Sequence, residues 1–232
     1  MISPYAIFFS LIGGILPALF WLYFWLKEDK LKPEPRSLIM FSFFGGTIAV
    51  LVALFAEKTV KGLVASNIIL LAVYATIIEE LLKFFGAYFT TLRKKEDDEP
   101  IDPIIYLISS ALGFAALENA LFLINPLAEN NILTGIATGN LRFIGATLLH
   151  IVASASVGIF IGFSFYKNRL FKFFMIIIGL IVAITLHSFF NFFIMKGTNE
   201  SIIGVFASLW IAVIFLILIL ERVKKVNATN KQ

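Results

Sequence analysis

Residues 67–92 read NIILLAVYATIIEELLKFFGAYFTTL. Twelve uncharged residues lead into Glu79 and Glu80, Lys83 follows, and uncharged residues resume to Leu92. As a helix rising ~1.5 Å per residue, such a run is about 39 Å long, more than the roughly 30 Å of a hydrocarbon core. The apolar residues are continuous rather than alternating, which argues against a strand of a membrane barrel. The stretch therefore predicts a membrane span that carries three charges in its interior.

Six further stretches have the length and apolarity of spans: Pro4–Leu26, Ser37–Ala56, Ile104–Ile124, Leu141–Tyr166, Phe173–Met195 and Ser201–Leu220. The whole composition agrees. Of 232 residues, 59% are hydrophobic and only 15% charged, against roughly 25% charged in soluble domains. Mean hydropathy is +0.93. A soluble enzyme, a nucleic-acid-binding module and a disordered linker are excluded on these grounds. The absence of cysteine removes disulfides, thiolate metal ligands and a cysteine nucleophile. The expected fold is all-α: one polytopic membrane helical bundle of about seven transmembrane helices. It forms a single integral-membrane domain over residues 1–232, with core motifs in 79–191 and a short basic tail in 221–232. No internal repeat is evident.

The first stretch lacks a basic leader, and Lys27-Glu28-Asp29-Lys30 stands where a cleavage site would be expected, so it reads as a retained helix. Trp21, Tyr23 and Trp25 near its end suit an interfacial aromatic belt. Orientation follows from Lys and Arg between spans. Fourteen lie after spans 1, 3, 5 and 7, and four after spans 2, 4 and 6. That asymmetry puts the N-terminus outside and the C-terminus in the cytoplasm. The acidic run Glu96–Glu99 reads as a solvated inner loop.

Of the 34 charged residues, thirty are assigned to loops, span ends and tails; the others are Glu79, Glu80 and Lys83 in span 3 and Glu118 in span 4. A charge at mid-bilayer costs at least ~2.5–3.5 kcal/mol, so such residues are seldom idle. The two histidines, His150 and His187, fall in spans 5 and 6, and Asn119 and Asn191 also lie inside spans. Counted by helical rise, Glu118, His150 and His187 sit roughly 9–13 Å from the outer ends of their helices, and Glu79 and Glu80 roughly 18–20 Å. All can share one layer between midplane and outer face.

With about 100° per residue, Lys83 lies roughly 40° from Glu79 and 60° from Glu80, so its ammonium reaches either. Two adjacent carboxylates in a low dielectric cannot both ionise comfortably. One lysine pairs with one of them and leaves the other to exchange protons with water, as a general base must. His187 and Asn191, four apart, share a face and suit a proton-handling or metal-binding group beside an amide donor for an oxyanion. The structural alternatives are an ion-pair cluster at Glu79/Glu80/Lys83 and an interhelical hydrogen-bond clamp at Glu118/Asn119. Gly113, Gly158 and Gly162 read as close-approach points between helices.

In order, the polar signatures are Glu79-Glu80-x-x-Lys83, Phe114-x-x-x-Glu118-Asn119, His150 and His187-x-x-x-Asn191. This order resembles the PrsW family of intramembrane proteases, within the clan that includes the type II CAAX prenyl endopeptidases. Asp29-Lys-Leu-Lys-Pro33-Glu34-Pro35 also resembles the acidic Pro-Glu-Pro loop common after that family's first helix. The resemblance implies an endopeptidase that cuts membrane-anchored proteins, such as an anti-sigma factor, in a bacterial cytoplasmic membrane. It implies active-site positions at Glu79, Glu80, Glu118, His150, His187 and Asn191, with Lys83 and Asn119 as charge and structural partners. Two chemistries stay open. A Zn²⁺ held by His150, His187 and Glu118 would leave one open position for water. Alternatively Glu80, assisted by His150, activates water directly while His187 and Asn191 stabilise the oxyanion. The competing functions are a proton-coupled transporter and a non-catalytic membrane scaffold. The nearly uncharged segment Asn125–Asn140 reads as an outer loop, either a substrate lip or a plain connector.

Overall fold

A computed structural model describes residues 3–29, 32–64, 68–129, 131–196 and 199–227. The predicted start of the third span at Asn67, and Lys30 and Lys231 of the charge count, lie outside these residues. Among the described residues every regular element is helical: α1 Pro4–Leu26, α2 Arg36–Val64, α3 Ile68–Thr90, α4 Asp102–Ala128, α5 Ile132–Leu141, α6 Thr147–Phe163, α7 Arg169–Lys196 and α8 Asn199–Val223. A single π-helical turn, Arg142–Ala146, joins α5 to α6 without a break. Six helical stretches are long and apolar enough to cross a membrane, with α5 and α6 counting as one. Helix α3 has 23 residues but carries Glu79, Glu80 and Lys83, so its composition falls short of the others.

The chain is organised around α4. Its residues from Asp102 to Ala116 are buried without interruption, which fits a helix that is apolar or small on every face. Helices α1, α2 and α6 pack against it. The sequence permits this because small residues line the contacts. A Cβ added to Gly113 would stand 1.8 Å from the Phe43 carbonyl oxygen of α2, and one added to Gly158 would stand 2.6 Å from Ile104 Cα. The close-approach reading of these glycines is borne out. Outward faces carry exposed Phe41, Phe55, Leu133 and Phe189, as expected of lipid-facing helices.

Two expectations need correction. Residues 125–140 are not a loop: α4 continues to Ala128, and α5 begins at Ile132 with the Asn131 side chain accepting from the Thr134 amide at 3.1 Å. A nearly uncharged segment beside a bilayer gains by folding its backbone polar groups into helix. Trp21 and Trp25 do not form a belt; both are buried in the core, and only Tyr23 is exposed.

Candidate active site

Helix α3 enters the bundle with Thr76, Glu79, Glu80 and Lys83 on its buried side. Lys83 is completely buried. Its ammonium donates to Glu80 Oε1 at 2.5 Å and to His150 Nδ1 of α6 at 2.9 Å. A donor at Nδ1 fixes the tautomer of His150, so its proton sits on Nε2 and points at Glu118 Oε2 of α4, 2.9 Å away. The same Glu118 oxygen accepts from Arg142 Nη2 at 2.5 Å. Arg142 Nε donates to Asn119 Oδ1 at 2.5 Å, and the Asn119 amide donates to Thr147 Oγ1 at 2.9 Å.

On the other flank, His187 of α7 meets Glu80 Oε1 through Nδ1 at 2.6 Å. A carboxylate at Nδ1 leaves Nε2 as the free ring nitrogen. It faces Glu79 Oε2 at 3.7 Å, too long for a direct hydrogen bond and within reach of one shared water. Glu79 Oε2 is buried with no hydrogen-bond partner. The two imidazole rings meet edge to face, with centroids 5.1 Å apart.

The residues named from sequence are thus brought together: Glu79, Glu80, Lys83, Glu118, Asn119, His150 and His187 form one chain of contacts across four helices. Asn191 stands at its edge, its amide 3.4 Å from Thr76 Oγ1. A cavity of about 570 Å³ opens on the chain, lined by Glu79, Glu118, His150, His187 and Asn191 among others. Glu80 and Lys83 are not part of its wall. The cavity lies toward the bundle end that holds the α2–α3, α4–α5 and α7–α8 connections, as its lining by Leu54, Ala72, Phe122, Met195 and Ile202 shows.

Two charged wall residues escaped the sequence reading. Arg142, the one basic residue of the four outer-side charges that follows span 4, sits in the π turn, bonded to Glu118 and stacked 3.9 Å over the Phe122 ring. The signal was present: Arg142 is the only charged residue between Glu129 and Lys167. Glu57, assigned to the end of a shorter span 2, also lines the cavity because α2 runs on to Val64.

The family model described as "PrsW family intramembrane metalloprotease" matches residues 34–219. The chain belongs to the PrsW family. Protease PrsW of Geobacillus kaustophilus is 33% identical over 164 residues, covering 69% of this chain and 68% of that protein. Protease PrsW of Oceanobacillus iheyensis is 29% identical over 82% of this chain and 84% of its own length. Protease PrsW of Bacillus subtilis is 29% identical over 69% and 70%. No solved structure matches the chain. Membership makes this an integral-membrane protease.

The family description implies a metal, and the residues present can be tested against one. One donor atom each from Glu79, His150 and His187 lies within 4.8 Å of the others. Glu79 Oε2 is unpartnered and His187 Nε2 is free, while Glu80 holds the second nitrogen of His187 as a carboxylate does behind a zinc-bound histidine. This Glu/His/His set fits a divalent ion with an open position. Glu118 stands one contact away, bonded to His150 and Arg142, outside the converging set.

Proposed function

We propose that this PrsW-family chain hydrolyses peptide bonds of membrane-anchored proteins, of the anti-sigma-factor type, inside the cavity bounded by Glu79 and His187. The observation that carries the reading is the unpartnered Glu79 Oε2 facing His187 Nε2 across 3.7 Å at the wall of that cavity. Glu79 takes a proton from a water held between it and His187, and the resulting hydroxide attacks the scissile carbonyl. The Asn191 amide donates to the oxyanion that forms. Protonated Glu79 then returns its proton to the departing amine. Glu80 keeps His187 oriented, and Lys83 neutralises Glu80 from behind. Glu118, clamped by Arg142, holds the second histidine.

Glu79, His150 and His187 would hold the metal, which when bound lowers the pKa of a coordinated water and polarises the scissile carbonyl. For His150 to take part, one of its nitrogens must exchange Lys83 or Glu118 for the ion.

The charge asymmetry of the connections supports a cavity toward the outer face, and the PrsW relatives from Geobacillus and Bacillus support a bacterial cytoplasmic membrane. Cleavage near that face suits a substrate anchored by one span.

The test is cleavage of a single-span substrate by purified protein in detergent, comparing wild type with Glu79→Gln and His187→Ala, with and without a strong chelator. Loss of cleavage in both variants is expected. Inhibition by chelator with recovery on added zinc supports the metal-bound form, and cleavage that survives chelator supports glutamate alone. Unchanged cleavage in both variants would overturn the assignment.

A further inference from the structure

The acidic Pro-Glu-Pro loop plays no part in the site above. It lies at the opposite end of the bundle: Glu118 is sixteen residues along α4 from Asp102, roughly 24 Å of helix. Prolines 33 and 35 restrict the backbone on both sides of Glu34 and hold it extended at the start of α2. The Glu34 amide donates to Asp29 Oδ2 at 3.1 Å. Tyr106 of α4 donates its hydroxyl to Glu34 Oε2.

These contacts bring three carboxyl groups together. Asp29 is 4% exposed, Glu34 9% and Asp102 not at all. One oxygen from each lies within 4.8 Å of the other two. Asp102 Oδ2 accepts from the amides of Asp98 and Glu99 at 2.8 and 2.6 Å, while its other oxygen, Oδ1, is buried and has no partner. No ion pair among the described residues reaches the three. Lys32 is engaged by Asp98, and Lys224 by Glu28 and Glu221. Lys224 and Lys32 act on Asp29 only at longer range, and burying converging carboxylates without a paired cation is costly.

We infer that Asp29, Glu34 and Asp102 form a binding site for a hard divalent cation, separate from the active site. The donor set is all oxygen, the preference of Ca²⁺ and Mg²⁺ and not of zinc. Two oxygens on one Ca²⁺ stand at most about 5 Å apart, and the observed separations meet that limit. The ion would tie the α1–α2 loop to the N-terminus of α4, the helix on which the bundle is built. On the charge-count orientation, this end faces the cytoplasm.

The test uses the full chain in detergent. Tb³⁺ is the probe, because the Tyr106 ring sits against Glu34 and can sensitise its luminescence. Saturable emission is expected, displaced by Ca²⁺ or Mg²⁺; the more effective competitor identifies the class of ion. Glu34→Gln and Asp29→Asn should each weaken Tb³⁺ binding at least tenfold, and His187→Ala should leave it unchanged. In thermal melts, the preferred ion at 100 times its Kd should raise the wild-type Tm by about 5–10 °C. Glu34→Gln should lose that rise while its ion-free Tm stays at or above wild type, since the amide has no charge to bury and still accepts from Tyr106. Emission that survives both loop variants, as binding by the neighbouring 96–99 acids would give, overturns the site. So does emission lost in His187→Ala, or a wild-type Tm that no cation shifts.

Discussion

Lys83→Met removes the one ammonium at the centre of the contact chain and keeps most of the side-chain volume. Lys83 is fully buried, 2.5 Å from Glu80 Oε1 and 2.9 Å from His150 Nδ1. After the change, Glu80 keeps only His187 as a partner, and its second oxygen, Oε2, is already buried without one. Deleting one member of a buried ion pair costs ~3–5 kcal/mol, because the other charge stays behind in a low dielectric. For a chain of this size each kcal/mol moves Tm by ~2–4 °C, so the melting temperature should fall by about 6–20 °C. The double variant Lys83→Met/Glu80→Gln removes both charges and should recover most of that loss, a coupling of ~2–4 kcal/mol. The assay is thermal unfolding in one detergent for wild type, both single variants and the double. A Lys83→Met protein melting within 2 °C of wild type would refute the buried pair. A double variant as unstable as the single would show that the lysine stem matters and the charge does not.

Arg142→Lys should keep the fold, because Arg142 is partly exposed, and lower cleavage at least tenfold. A lysine cannot reproduce the fork that holds Glu118 and Asn119 together, and Arg142→Gln should be no worse in the cleavage assay. Gly113→Ala places a methyl 1.8 Å from the Phe43 carbonyl oxygen and should cost about 1–3 kcal/mol or more. Gly204→Ala meets nothing within 4 Å and should leave Tm unchanged or slightly higher, and the two melts compared side by side check both. Asp97 is pushed up to about 7, by burial and then by the Asp102 charge, against an opposing Lys172. Between its unfolded value near 3.8 and 7 the folded form holds a proton that the unfolded form has lost, so stability falls as pH rises through that window. Asp97→Asn should therefore raise Tm at pH 8, with the gain shrinking toward pH 4.

The sequence showed what it did because charge is conspicuous in an apolar run. Glu79, Glu80, Lys83 and Glu118 stand out against uncharged neighbours, and the histidines stand out by rarity. The same rule hides Glu57 and Arg142. Near a span end a charge costs little, so each reads as ordinary boundary chemistry; α2 running two turns past Ala56 carries Glu57 into the cavity wall, and the π turn that joins α5 to α6 carries Arg142 there. Helix α5 was invisible for the opposite reason: with no charge and Pro126 just before it, its residues look like a connector, although Ile132, Leu133 and Ile136 make it a lipid-facing helix. Which of two adjacent glutamates faces the cavity is set by a rotation of about 100° about the α3 axis, and no periodicity in the sequence fixes that phase.

The two histidines argue for a division of labour that spacing alone could not supply. Each has a carboxylate on one ring nitrogen: Glu80 at Nδ1 of His187, Glu118 at Nε2 of His150. They differ in what the second nitrogen sees. For His150 it is the Lys83 ammonium, a donor that cannot accept, so that nitrogen is occupied and the ring is held as a neutral link between a cation and an anion. For His187 it is the unpartnered Glu79 oxygen and the cavity. A proton can be passed at His187 without breaking any contact, whereas at His150 either Lys83 or Glu118 must move first. On the reading proposed here, His187→Ala therefore abolishes the chemistry outright. His150→Gln can keep one of the two bonds and should retain measurable cleavage if glutamate alone activates water, and none if the ion needs all three ligands. The residual rate of His150→Gln, read against the inactive His187→Ala, thus separates the mechanisms without a chelator.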